Sequence, residues 1–148
     1  MVAIDDLKVF LMAVDNSFPI PLAQKQNLVA LAEKFKDKAD LCYVKEKDQI
    51  MALVAGYTKN VTDNMGYISV VATLPVARGR GYATKLVKEF VELAAKKRLD
   101  AVHLYTDRSN YAAINMYQKI GFEEWLCENE PRPDDLHLIY RIDTEGCV

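Results

Sequence analysis

The chain has 148 residues, 51% of them hydrophobic, and carries 19 Lys and Arg against 21 Asp and Glu for a formal net charge of −2. That length predicts a single domain over residues 1–148 with enough apolar material for a core, and the charge argues against nucleic acid, whose backbone demands clustered positive side chains. Cys42, Cys127 and Cys147 are odd in number and lack CxxC spacing, so reduced thiols are expected rather than a disulfide framework or a zinc site, and no metal is expected.

The opening Met-Val-Ala-Ile-Asp-Asp has neither the basic region nor the apolar core of a leader, and no apolar run approaches the roughly 20 residues of a membrane span. A cytoplasmic protein with no membrane partner is expected. Residues 5–15 place Leu7, Phe10, Leu11 and Val14 at helical spacing behind Asp5-Asp6, a pair with capping chemistry, which predicts a short helix. Ser17 to Pro21 breaks it, because two prolines around Ile20 stiffen the connector. Leu28, Leu31, Ala32 and Phe35 predict a second helix over roughly 22–38.

Residues 41–45 and 50–58 read as strands joined by the polar turn 46–49, and a polar loop over 59–66 leads to a third strand at 67–73. Three sequential strands with short connections argue an antiparallel meander. Leu74-Pro75 ends the third strand, since proline cannot donate to a ladder. Arg78-Gly79-Arg80-Gly81 then opens a helix with apolar residues at Ala83, Leu86, Val87, Phe90, Val91 and Ala94. The first N–H groups of a helix lack intrahelical acceptors and sit at its positive end. Glycines admit a ligand close to them and the two arginines add charge, so a phosphate or pyrophosphate is the natural guest.

Asp100 to Thr106 reads as a strand, parallel to 67–73 if the helix is a right-handed crossover. A helix over 111–120 follows, with Ser109 or Asn110 as its cap and Gly121 as its stop. Residues 122–128 and 136–142 read as two last strands around the proline-rich loop 129–135. The order is α-α-β-β-β-α-β-α-β-β, an α+β layout with helices on the faces of one sheet.

Two motifs now stand in order. Arg78-x-x-Gly81-x-Ala83 and Asn110-x-x-Ala113-Ile114-x-x-Tyr117-x-Lys119-x-Gly121-Phe122 together resemble the acyl-CoA signature and the site-closing segment of the GNAT family of N-acetyltransferases. The resemblance covers about residues 41–142. It implies a mixed, mostly antiparallel sheet of about six strands flanked by about four helices, splayed between the strands at 67–73 and 101–106. It also implies acetyl-CoA as co-substrate and a primary amine as acceptor, attacking directly in a ternary complex, by a monomer or homodimer.

Carried over residue by residue, the resemblance implies that backbone groups of Val71, Ala72 and Thr73 bond the pantetheine arm and polarise the thioester. Backbone N–H groups across Gly79, Arg80, Gly81, Tyr82, Ala83 and Thr84, beside Arg78, would hold the pyrophosphate. Asn110 would contact the cofactor further along, and Tyr117 would sit near the sulfur and protonate the departing thiolate. Those roles are chemically apt: a tetrahedral oxyanion wants preorganised donors, and a phenol can serve as the acid.

One departure matters. A glutamate base often follows the leucine of the strand at 101–106, and here that position is Tyr105. Tyr67, Tyr105, His103 and Asp107 are the candidates for the base, with Tyr105 the residue carried forward as catalytic beside Tyr117. His103 and His137 read more simply as packed strand histidines. The acceptor site is expected from the N-terminal helices, the connector at 18–21 and the loops at 59–66 and 129–135, with an amino sugar or another small amine as guest.

Three rival readings bear on the same turn. A dinucleotide fold lacks its third glycine, which is Thr84 here. A P-loop lacks Gly-x-x-x-x-Gly-Lys-[Ser/Thr]. A non-catalytic acyl-CoA sensor, motivated by the missing glutamate, is the third.

Overall fold

A computed structural model of the chain describes residues 2–15, 27–59, 61 and 63–142. The elements are α1 (Ile4–Val14), α2 (Leu28–Lys38), β1 (Asp40–Glu46), β2 (Gln49–Tyr57), β3 (Met65–Thr73), α3 (Tyr82–Lys96), β4 (Ala101–Thr106), α4 (Tyr111–Ile120), β5 (Glu123–Glu124) and β6 (Leu136–Arg141), with a 3-10 turn at Pro75–Ala77. The six strands form one sheet in the order β1-β2-β3-β4-β6-β5. Every neighbouring pair is antiparallel except β3 and β4.

Both faces of the sheet are covered, and β2 shows it most plainly. Leu53 and Ala55 face one core with Leu7, Phe10 and Phe35 of α1 and α2, while Ala52 and Val54 face the other with Leu86, Val87 and Phe90 of α3. A strand buried on both faces is a continuous apolar run, as Ile50-Met-Ala-Leu-Val-Ala is. α3 is one-sided as its spacing predicts, with Leu86, Val87, Phe90 and Ala94 buried.

The parallel pair is only half zipped. β3 and β4 pair from Met65↔Ala101 to Ile68↔Leu104, whereas β2 follows β3 to Thr73 and β6 follows β4 to Thr106. The two strands therefore part beyond Ile68 and Leu104, each held by its outer neighbour, and a cleft opens inside the sheet.

Several ends differ from the sequence expectation. α1 is capped by Ala3 without a side-chain bond, and Asp5 and Asp6 lie in its first turn, where they complement the helix dipole. α2 starts at Leu28 because Asn27 accepts from the N–H groups of Val29 and Ala30. Neither Ser109 nor Asn110 caps α4 with its side chain; instead the Asp107 carboxylate accepts from the Ser109 N–H and hydroxyl. The strand expected over 122–128 shrinks to Glu123–Glu124, with one further backbone bond from Trp125 to His137. The connector at 17–21, residues 22–26 and Cys147 lie outside the described residues.

Gly56 sits where the β2–β3 register shifts, and an added Cβ would lie 2.5 Å from the Phe90 ring and 2.5 Å from the Tyr67 carbonyl oxygen. One neighbour is backbone and the other a fully buried ring, so neither yields easily. Gly56→Ala is expected to destabilise the fold by at least the about 1–3 kcal/mol typical of overpacking. Chemical denaturation checks it, and a loss under about 0.5 kcal/mol, the range of neutral surface changes, would contradict the packing described.

Candidate active site

The cleft between β3 and β4 has a volume of about 660 Å³. One wall is the parted end of β3, where Val71, Ala72 and Thr73 line it. Because β4 has diverged, their cleft-facing backbone groups meet no strand and are free for a guest. At one end lies the glycine turn. Gly79 and Gly81 adopt φ of +82° and +77°, conformations that suit glycine, and a Cβ at either would meet nothing within 4 Å. The glycines thus leave open space beside the turn, as close approach of a ligand requires.

Arg78, Gly79 and Gly81 line the cleft, as do Tyr82, Ala83 and Thr84 in the first turn of α3. No side chain caps that helix, so its first N–H groups remain available to an anion. Arg80 is the exception. Its guanidinium turns to Glu46 of β1 at 3.2 Å, and it is not among the residues lining the cleft.

The opposite wall carries Asn110 and Tyr117. Tyr117 is only 6% exposed, packs against Phe122 at 5.7 Å between centroids, and its hydroxyl has no hydrogen-bond partner among the described residues. Burial pushes its pKa well up, so at neutral pH it keeps a proton to give.

The far end is lined by Tyr67, Tyr105, Arg132 and Asp135, with Asp107 nearby on the same wall. Thus three of the four base candidates reach the cleft and His103 does not. Loop 129–135 contributes Arg132, whose guanidinium bonds Asp135 at 2.6 and 3.0 Å, donates to the Tyr67 hydroxyl at 3.4 Å and lies 4.5 Å over the Tyr105 ring. Burial raises the Tyr67 pKa, against the pull of Arg132.

Behind Tyr105 lies a polar cluster that sequence reasoning missed. Tyr105 donates its hydroxyl to Glu130 Oε1 at 2.5 Å. The same carboxylate accepts from Cys127 Sγ at 2.8 Å, from His137 Nδ1 at 2.7 Å and from the Arg132 backbone N–H at 3.2 Å. His137 Nε2 meets His103 Nδ1 at 2.8 Å, and His103 Nε2 lies 4.0 Å from Asp63. Burial, then the neighbouring His137, lowers the His103 pKa, so the ring is neutral at pH 7.

His103 and His137 are therefore joined members of one network, not separate packed strand residues. Cys127 is not isolated either, since its sulfur lies within 4.8 Å of the Glu130 and His137 bonding atoms. Strand alternation puts His103 and Tyr105 on one face, a signal the sequence did carry. Only the β4–β6 register, which sets His137 opposite Tyr105, could add His137.

A model of the acetyltransferase (GNAT) family matches residues 10–122 of the chain. A mycothiol acetyltransferase from Renibacterium salmoninarum is 34% identical over 104 residues, covering 64% of this chain but 29% of the relative. The chain thus spans under a third of that relative's length. Among solved structures, a ribosomal-protein-alanine N-acetyltransferase from Brucella melitensis shares the fold with a TM-score of 0.70 at 18% identity, over 95% of this chain and 97% of that one. So does the PaiA N-acetyltransferase from Thermoplasma acidophilum in complex with coenzyme A, with a TM-score of 0.72 at 12% identity over 95% and 96%. With its half-zipped sheet, its glycine turn and a family match over most of its length, the chain belongs to the acetyltransferase (GNAT) family.

Proposed function

We propose that the protein transfers an acetyl group from acetyl-CoA to a primary amine by direct attack, with the cleft as the site. The observation that carries this reading is the alignment along one cleft of a strand edge, an uncapped helix start behind two glycines, and a buried tyrosine. These fit an acyl-CoA: the α3 N-terminus and Arg78 suit a pyrophosphate, the free β3 edge suits an amide-bearing arm, and Tyr117 stands ready to protonate a thiolate. In this reading Val71 to Thr73 stabilise the oxyanion through backbone donors, and Asn110 holds the cofactor beyond the turn. The relatives' names, which speak of acetyl transfer, and a neighbour complexed with coenzyme A support it.

The acceptor end combines two tyrosines with Asp135 and Arg132, which suits a small polar amine; an amino sugar remains the guest in view. Thiol release from acetyl-CoA, measured against glucosamine, ethanolamine and an alanyl peptide, tests the reading. Release that depends on the amine is the expected result. Tight acetyl-CoA binding without amine-dependent release would replace the enzyme by a sensor, the reading that the tyrosine at position 105 favours.

A further inference from the structure

We propose that Glu130 is a positioning residue for the acceptor amine: its hydrogen bond holds the Tyr105 hydroxyl so that the phenol oxygen faces the cleft purely as an acceptor. The proposal rests on the acetyl-transfer reading and adds a residue that reading did not need.

Tyr105 lines the acceptor end of the cleft, while Glu130 sits behind it and touches its hydroxyl at 2.5 Å. Four donors converge on that carboxylate, from Tyr105, Cys127, His137 and the Arg132 backbone. Burial opposes ionisation of Glu130, but these hydrogen bonds outweigh it and hold its pKa at about 2. A carboxylate only accepts. The single proton of Tyr105 is therefore engaged by Glu130, and the oxygen offers the cleft lone pairs alone.

His137 keeps the arrangement in place. Its Nδ1 lies 2.7 Å from Glu130 Oε2 and its Nε2 2.8 Å from His103 Nδ1, so the ring is held at both nitrogens. Its ring also stacks on Tyr105, with centroids 4.1 Å apart and planes 24° apart. The Arg132 guanidinium, tied to Asp135, also lies 4.5 Å over the Tyr105 ring. The phenol is thus held by two packed neighbours as well as by Glu130.

A primary amine matches this seat. One N–H donates to Tyr105 while the nitrogen lone pair remains for the thioester carbonyl. As the N–C bond forms, nitrogen becomes positive and its N–H a stronger donor, so the contact tightens toward the transition state. The C–S bond then breaks, the sulfur takes a proton and the amide nitrogen sheds one to water. Tyr105 takes none, because burial first, then the Glu130 bond and charge, with Cys127 and Tyr67 adding, push its pKa well up and keep it a phenol. The carboxylate that relatives often carry on the strand thus stands one layer back here, acting through a phenol.

A double-mutant cycle tests this, using an amine of the panel that the wild type acetylates. Tyr105→Phe is expected to lower kcat/KM for the amine roughly 10- to 100-fold, the scale of one hydrogen bond to a charged group, with acetyl-CoA affinity unchanged. Glu130→Gln is expected to cost roughly 5- to 50-fold alone and under about twofold in the Phe background, since residues acting as a unit are not additive. In labelled-tyrosine NMR, the Tyr105 ring should titrate above an ordinary tyrosine and move down in Glu130→Gln. Full additivity, no loss in Glu130→Gln, or a Tyr105 that titrates ordinarily would overturn the proposal alone. A wild type that releases no CoA with any amine would remove the transfer reading, and this proposal with it.

Discussion

Gly81→Val is expected to raise the acetyl-CoA dissociation constant by at least about 100-fold, or about 2.7 kcal/mol, while the helical and strand content stays that of the wild type. Two effects act at this residue. Its φ of +77° lies where a β-branched side chain is strained, at about 1–2 kcal/mol for the left-handed region, so some stability is lost. The larger effect falls on the ligand. With no atom within 4 Å of the added Cβ, the valine projects into the space beside the first N–H groups of α3, where the proposed pyrophosphate would sit. Calorimetry on the folded variant checks this, and near-normal affinity would remove the glycine turn as the pyrophosphate seat. Arg78→Ala should weaken binding less, since salt screens a charge at the rim of the cleft.

Tyr117→Phe is expected to lower kcat by roughly 10- to 1,000-fold with little change in KM for acetyl-CoA, as for an interaction made mainly in the transition state. Phenylalanine preserves the contact with Phe122 and removes a hydroxyl that bonds no described residue, so the melting temperature should hardly move. Because burial holds the phenol proton far above neutral pH, the group can donate throughout the working range. An acyl donor with a more acidic thiol needs less help, and with it the loss should shrink. Full kcat in the Phe variant on ordinary acetyl-CoA, at a pH where chemistry limits the rate, would return Tyr117 to the core.

How legible this was depends on how local each feature is. The glycine turn and α3 were readable because φ-permissive residues, charge and a 3.6-residue apolar rhythm all act within some 20 positions. The parallel pairing of β3 and β4 followed from crossover handedness. That the Arg80 side chain pairs with Glu46 was not legible, because the sequence does not show that β1 brings the two together. Glu130 was invisible for the same reason. Within the loop 129–135 it is one more acidic residue, and only the β4–β6 register and the bend after β5 set it under Tyr105. The caps of α1 and α4 failed more simply: Ala3 starts α1 with no side-chain bond at all, and before α4 the Asp107 carboxylate, rather than Ser109 or Asn110, is the side chain that accepts.

The partial pairing of β3 with β4 gives the molecule a spine. On one side β1, β2 and β3 form one page of hydrogen-bonded backbone, and on the other β4, β6 and β5 form a second. Among the described residues, strand pairing joins them only from Met65↔Ala101 to Ile68↔Leu104. The cleft's width is thus an angle between two pages rather than a property of any loop. α3 lies across the binding, its Phe90 packed in a core shared with Ile68 on one page and Leu104 on the other. In the proposed reaction, α3 is thus both the element whose start takes the anion and the strap that sets the angle, so it would register the cofactor against a nucleophile beside Tyr105.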